Sequence, residues 1–328
     1  MKRLSDIGER KAIQLISSIL SKPDIAVGIG DDCAALEIGN EYLLVTTDMI
    51  TQKYHIPEQM TPFQIGWFIV AINLSDIAAK GGRPLGLVLS LGLPKKTSEF
   101  FLKQLIKGAD SCATSFDTAI IGGDTKETSE ITLCGTAFGL VDKNKFLPRK
   151  GCSAGDIVAV TGPLGRAGAG YYMIQKEFDD ESKSNALFEP VPRLKEGILL
   201  AEQKCVTSSM DISDGLSSSL YQLGQINNVG FELYQSDIPI ASELKHFQKQ
   251  FSDINIFDVA LHFGGDYELL VTIARNCFEK NRKKLGKKGV SLYPIGSVTS
   301  EKDIVIVSNN VRKKIENKGY EHFKGHHF

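Results

Sequence analysis

The 328-residue chain is 42% hydrophobic and 23% charged, with a formal net charge of −1. At ~150 residues per domain that length suits about two domains, and the near-neutral charge leaves no electrostatic footprint for nucleic acid. The longest strongly apolar run, Leu85 to Leu93, is far short of the ~20 residues that a membrane-spanning helix needs, so the expected partners are small molecules, with neither nucleic acid nor membrane among them.

In chain order, MKRLSDIGERKAIQLISSIL spreads its charges through an amphipathic pattern, which predicts a helix near residues 8 to 21 rather than a cleaved leader, and hence a cytoplasmic protein. The glycine turn GIGDDCAAL follows, then a strand at Tyr42 to Thr47, a helix from Pro62 to about Lys80 and a strand at Leu85 to Leu91. A helix over Ser98 to Phe116 and strands at Thr118 to Ile121 and Ile131 to Leu140 complete the first half. The stretch from Lys143 concentrates Pro, Gly and charge and marks a joint, giving domains at 1–142 and 156–328 with a linker at 143–155. Beyond it come a strand at Ile157 to Thr161, a helix around Ala167 to Glu177, a polar stretch at Phe178 to Asn185, a helix from about Arg193 and an extended apolar segment at Leu269 to Ile273. The lysine-rich Lys280 to Lys288 reads as a solvated helix face, and His326-His327 as an untethered tail. This alternation is that of an α/β chain. The six cysteines, Cys33, Cys112, Cys134, Cys152, Cys205 and Cys277, include no C-x-x-C pair, which argues against a zinc site and a disulfide framework and predicts reduced, mostly buried thiols.

The chemistry lies in the aspartates. Asp31-Asp32 follow Gly30, Asp48 follows the strand YLLVTT, Asp76 sits in NLSD, Asp124 in IIGGDT, Asp211 and Asp214 in MDISDGL, and Asp266 in FGGDYELL. Each alone reads as a turn or cap residue. Their repeated placement past strands or beside glycines is different, because ligands in open α/β sheets gather outside the carboxyl ends of strands. Converging carboxylates need neutralising, and the absence of a calcium-loop order or an H-E-x-x-H pattern points to Mg²⁺, a hard cation that takes oxygen ligands. Carboxylate-bound magnesium usually serves a nucleotide phosphate. The sequence has no G-x-x-x-x-G-K-[ST], and TGPLGRAGAG has no lysine to reach a γ-phosphate. Two phosphate-bearing reactants would therefore be held mainly by metal: unit charges ~4 Å apart repel by about 1 kcal/mol in water and about 4 at an effective dielectric of ~20.

Taken in order, GIGDDCA, VTTDM, HIPE, AINLSDIAAKGGRP, IIGGDT, LPRKGCSAGD, VTGPLG, MDISDGLSSSL, GGDYELL and KGYEHF resemble the thiamine-monophosphate kinase family, within the aminoimidazole-ribonucleotide-synthetase-like (PurM-like) superfamily. The resemblance covers most of the chain. It implies a two-domain PurM-like α/β fold of the α+β type, an N-terminal mixed sheet that builds a homodimer interface, and a C-terminal α/β domain. It implies transfer of the γ-phosphoryl group of ATP to thiamine monophosphate, with several Mg²⁺ ions. By position, Asp31, Thr46, Thr47, Asp48, Asp76, Asp124, Asp211 and Asp214 would be magnesium ligands. Gly123, Asp124, Arg149 and Ser213 would touch ATP, and His55, Asp266 and Tyr320 the substrate, while Asp32 would support its turn. No general base is assigned, since the acceptor is a phosphate oxygen already ionised near pH 7. The family commonly reads Gly-Gly-Glu-Asp-Tyr-Glu-Leu where this chain is one acidic residue shorter at Gly264-Gly265-Asp266, and Ile106 stands where a tyrosine is common near the adenine. A superfamily enzyme acting on another small heterocycle is the alternative reading. A magnesium-nucleotide sensor is the reading from another class, and the completeness of the acid set argues against it.

Overall fold

The computed structural model describes residues 2–21, 25–176, 185 and 187–324. The polar stretch Phe178 to Asn185, apart from its last residue, and the His326-His327 tail lie outside the described residues.

The first half is organised around one buried helix. After α1 (Leu4–Ile19), β1 (Ala34–Ile38), β2 (Glu41–Thr51) and the short α2 (Gln52–His55), helix α3 (Pro62–Ala79) begins at a capping box. The Thr61 hydroxyl accepts from the Gln64 N–H at 3.3 Å, the Gln64 side chain accepts from the Thr61 N–H at 3.0 Å, and Pro62 sits where no N–H is needed. Helix α3 is apolar on nearly all sides and is long and apolar enough to cross a membrane by length and composition. Yet 72% of it is buried in the fold. It can be so because it is sandwiched between a sheet and α4 (Glu99–Ser115). The two helices cross at facing glycines: a Cβ on Gly66 would lie 1.8 Å from the Leu105 carbonyl, and one on Gly108 would lie 1.8 Å from that of Phe63.

That sheet runs β1-β2-β5-β3-β4, with β3 (Arg83–Leu93), β4 (Ile120–Glu127) and β5 (Thr132–Asp142). Only β3 and β4 are parallel, linked through α4. Leu44, Ile50, Leu87, Leu89, Leu133 and Ala137 face the helices and are buried. On the opposite face Val45, Val88 and Phe138 are half-buried and Met49 is exposed, and among the described residues no helix covers them.

The second sheet runs β12-β11-β8-β10-β6-β9-β7. Its strands are β6 (Ile157–Val160), β7 (Val206–Asp211), β8 (Gly230–Tyr234), β9 (Leu269–Ile273), β10 (Tyr293–Thr299), β11 (Ile304–Ser308) and β12 (Val311–Lys314). Helices α5 (Arg166–Gln175), α6 (Leu194–Ala201), α7 (Leu216–Asn227), α8 (Ser242–Gln250), α9 (Ile256–His262) and α10 (Arg275–Lys287) belong to this half. Helix α6 nonetheless packs on α3, and edge strand β7 abuts α3 as well. The carboxyl end of β7 is thereby brought against the C-terminal half of α3, which creates the site.

Two expectations need correction. The cysteines are not all reduced: Cys205 and Cys277 form a disulfide with a Cα separation of 6.2 Å, whereas Cys33, Cys112 and Cys152 are buried thiols and Cys134 is a partly exposed one. The pair is separated by 72 residues and meets only because α10 follows β9, the neighbour of β7; spacing along the chain carries no trace of that. The strand expected at Thr118 to Ile121 runs instead over Ile120–Glu127, through the glycines and Asp124, because its ladder to β3 pairs Gly122 with Val88 and Asp124 with Ser90.

Candidate active site

Four segments meet at the joint: the turn before β1 with Asp31 and Asp32, β2 with Thr46 and Asp48, the end of α3 with Ser75, Asp76 and Lys80, and the end of β7 with Asp211, leading to Ser213 and Asp214. Carboxylate oxygens of Asp32, Asp76 and Asp211 all lie within 4.8 Å of one another. Asp76 accepts the Thr46 hydroxyl at 2.5 Å, and Asp211 accepts that of Ser75 at 2.7 Å. The Asp48 N–H donates to the Asn73 side-chain oxygen at 3.3 Å. A Thr or Ser hydroxyl is thus set against the carboxylates of Asp76 and Asp211.

Burial dominates the electrostatics. It pushes the Asp76 carboxyl well above its ordinary value, with Asp48, Asp211 and Asp32 adding to the effect. Burial, then Asp32, pushes Asp211 up to about 7 and Asp48 up to about 6. Asp214 is pushed up to about 6 by burial and then Glu9. These groups resist ionising because too little positive charge reaches them. The donor set is all oxygen, which suits a hard divalent cation such as Mg²⁺.

Asp31 and Asp32 are held differently. The wholly buried Lys80 ammonium lies 2.5 Å from Asp31 and 2.6 Å from Asp32, donates to the Ser209 carbonyl at 2.9 Å, and sits 5.9 Å from the Phe146 ring centre. Arg149 clasps Asp32 through Nε at 3.0 Å and through Nη2, while its backbone N–H donates to Asp31 at 3.0 Å and Nη1 to Gln222 at 3.1 Å. Burial alone would raise Asp32, but Arg149 and Lys80 hold it below the usual carboxylate range. Asp32 is therefore an ion-pair hub as well as a turn residue. Lys80 was not singled out in the sequence, although it stands inside the quoted AINLSDIAAKGGRP.

Beside the carboxylates opens a cavity of about 640 Å³, lined by Asp48, Asp214 and Ser213, by His55 and Tyr320, and by the rings of Tyr54, Phe68, Tyr171, Phe263, Tyr267 and His322. The Thr51 N–H donates to His55 Nδ1 at 3.2 Å, and the Tyr320 hydroxyl lies 3.1 Å from His322 Nδ1. Tyr267, at a φ of +50°, packs edge-on to Phe68 with ring centres 6.2 Å apart. Burial and the facing Asp48 push its phenol well above the ordinary range. It sits in the FGGDYELL motif, but aromaticity alone gave no cue that it would face the acids.

Other expected site residues lie elsewhere. Asp266 accepts the Gly165 and Ala167 N–H groups at 2.6 and 3.0 Å, capping the start of α5 rather than lining the cavity. Thr47 projects to the sheet's other face, where its hydroxyl donates to the Gly135 carbonyl at 2.9 Å. Asp48, Gly135, Leu89 and Gly123 form one row across β2, β5, β3 and β4. At ~4.8 Å per strand, Gly123 is about 14 Å from Asp48. Asp124, next in line, is exposed with its carboxylate 3.5 Å from Lys126. Within one subunit, it cannot share a cation with Asp48. Ile106 is 39% exposed on α4.

Comparison with known proteins places this arrangement. Residues 30–141 match the N-terminal domain family of AIR synthase related proteins, and residues 153–309 match its C-terminal domain family. The thiamine-monophosphate kinase of Methanocaldococcus jannaschii is 36% identical over 314 residues, covering 89% of this chain and 94% of that protein. This chain belongs to the thiamine-monophosphate kinase family. Another member, from Methanospirillum hungatei, is 34% identical over 293 residues, with 89% of this chain and 92% of that protein covered. The solved structure of AaThiL complexed with AMPPCP and TMP superposes with a TM-score of 0.87 at 28% identity, covering 98% of this chain and 99% of that one. The two-domain PurM-like fold expected from the motifs is therefore the fold of this family member.

Proposed function

We propose that this chain phosphorylates thiamine monophosphate to thiamine diphosphate at the expense of ATP. The observation that carries the reading is the joint itself: undercompensated carboxylates at one end of an aromatic cavity, in a chain that shares its fold with AaThiL complexed with AMPPCP and TMP. Bound Mg²⁺ would neutralise and align the phosphates as charge passes between them. Asp31, Thr46, Asp48, Asp76, Asp211 and Asp214 are the residues to hold it, with Asp32 beside them. Ser213 and Arg149 would contact the nucleotide, and His55 and Tyr320 the acceptor. Asp266 fixes the glycine turn at α5. Since the acceptor oxygen is already ionised, these side chains need only bind, orient and exclude water, and no base is required.

A homodimer fits the remaining assignments. The half-buried apolar face of the first sheet would be covered by a second copy, and the exposed Thr47, Gly123 and Asp124 would then serve a site shared between subunits. The cytoplasm is the inferred setting, since the apolar α3 is spent inside the fold. The test is mass-spectrometric: purified protein with ATP, Mg²⁺ and either thiamine monophosphate or thiamine. Thiamine diphosphate from the monophosphate alone, lost with EDTA, is the expected result. ATP binding without product would move the search to other heterocyclic phosphates.

A further inference from the structure

One wall of the cavity is built by Glu9 of the N-terminal helix and by Tyr320 and His322 of the C-terminal segment. Helix α1 breaks at Gly8, which has a φ of +75°, and a Cβ there would lie 2.4 Å from both Glu321 and Lys324. The break turns the next residue, Glu9, to the cavity, where its carboxylate accepts the His322 N–H at 3.2 Å. The neighbouring Arg10 points away and donates to Ser218 at 2.7 Å. Glu9 makes no ion pair among the described residues. Its charge reaches Tyr320, whose phenol is pushed up by burial and then by Glu9. Among the described residues the cavity is lined by the carboxylates of Glu9, Asp48 and Asp214 and by aromatic rings, with no lysine or arginine. Half-buried carboxylate next to π-faces is a recognition site for an organic cation. Asp48 and Asp214 are assigned above to the metal, which leaves Glu9 as the remaining carboxylate of the cavity lining.

We propose that Glu9 is a specificity-determining residue, the counter-charge for the permanently cationic thiazolium ring of the acceptor. This rests on the thiamine-monophosphate reading above. The ring would sit among Tyr54, Tyr320 and His322 with Glu9 at its edge, so that the cavity selects its substrate by charge as well as by shape.

The experiment compares thiamine monophosphate with its neutral isostere, in which a thiophene replaces the thiazolium, as competing ligands for the unaltered protein, Glu9→Gln and Glu9→Asp. The unaltered protein should prefer the cationic ligand. Glu9→Gln should raise KM for thiamine monophosphate roughly tenfold, leave kcat and the KM for ATP near their starting values, and leave affinity for the neutral isostere unchanged. Glu9→Asp should retain most of the preference. Equal weakening of both ligands by Glu9→Gln would mean that Glu9 only anchors His322, and an unchanged preference would mean that its charge is not read; either overturns the inference. No turnover of thiamine monophosphate by the unaltered protein would overturn the kinase reading and this inference with it.

Discussion

Two sets of buried carboxylates lie side by side at the joint and are treated in opposite ways. Asp31 and Asp32 are clasped by Lys80 and Arg149, and Asp32 is held below its ordinary value. The carboxylates of Asp76 and Asp211 each accept one hydroxyl, and burial pushes Asp48, Asp76 and Asp211 up. The first set is electrostatically complete within the chain; the second awaits a cation. The two sets are thus told apart by whether the protein supplies their counter-charge, and of the first set only Asp31, paired with Lys80, is also proposed as a ligand.

That contrast can be broken from either side. Asp48→Asn should lower phosphoryl transfer at saturating Mg²⁺ by roughly a hundredfold or more, as expected when a group that stabilises transferring charge is lost. An unchanged rate in the coupled assay would remove Asp48 from the ligand set. Lys80→Met strikes the complete set. By removing the buried cation that Asp31 and Asp32 share, it should destabilise the protein by about 3–5 kcal/mol in urea unfolding. Asp76→Asn should do the reverse, since it removes an uncompensated charge: the metal-free variant should melt above the parent while losing activity. A Tm below the parent's would show that Asp76 is compensated after all.

The pH dependence sharpens the comparison with a smaller effect. Asp48 and Asp214 at about 6 and Asp211 at about 7 lie above the ~3.9 of an unfolded aspartate. Between those values the folded chain binds more protons than the unfolded one, so the contribution of these groups to stability falls as pH rises from about 4 to 7. Metal-free Asp211→Asn should therefore show a flatter fall in Tm over that interval than the parent. Mg²⁺, which requires the ionised forms, should raise Tm more at pH 8 than at pH 5.5; equal increments in differential scanning fluorimetry would count against the carboxylates as its ligands.

The motifs made the fold legible, and Asp76 and Asp211 do lie near the ends of α3 and β7, but Asp48 sits inside β2, which runs on to Thr51 rather than ending at Thr47. What could not be read was which neighbour each one meets. Asp31 and Asp32 are adjacent in sequence, yet their shared partner Lys80 comes after a whole helix, and a wholly buried lysine has no periodic signature. Asp124 shares the glycine-flanked look of the others, but strand order, a non-local property, puts β4 at the sheet's edge. Asp266 has the same look and is consumed as a cap. The Cys205–Cys277 bridge was hidden for the same reason as Lys80.

Lys80 has one more consequence. It belongs to the first half of the chain, but one of its three oxygen partners, Ser209, is in the second half, and Arg149 in the joint reaches Gln222 on α7. The apolar core is continuous there too, since Leu269, Val271 and Ile273 of β9 share it with Ile69 and Leu74 of α3. An oily seam alone tolerates sliding, whereas an ammonium denied water must keep its partners or pay the full cost of dehydration. Opening the seam would expose both sets of acids at once. The halves should therefore unfold as a single cooperative unit, with one calorimetric transition for two domains.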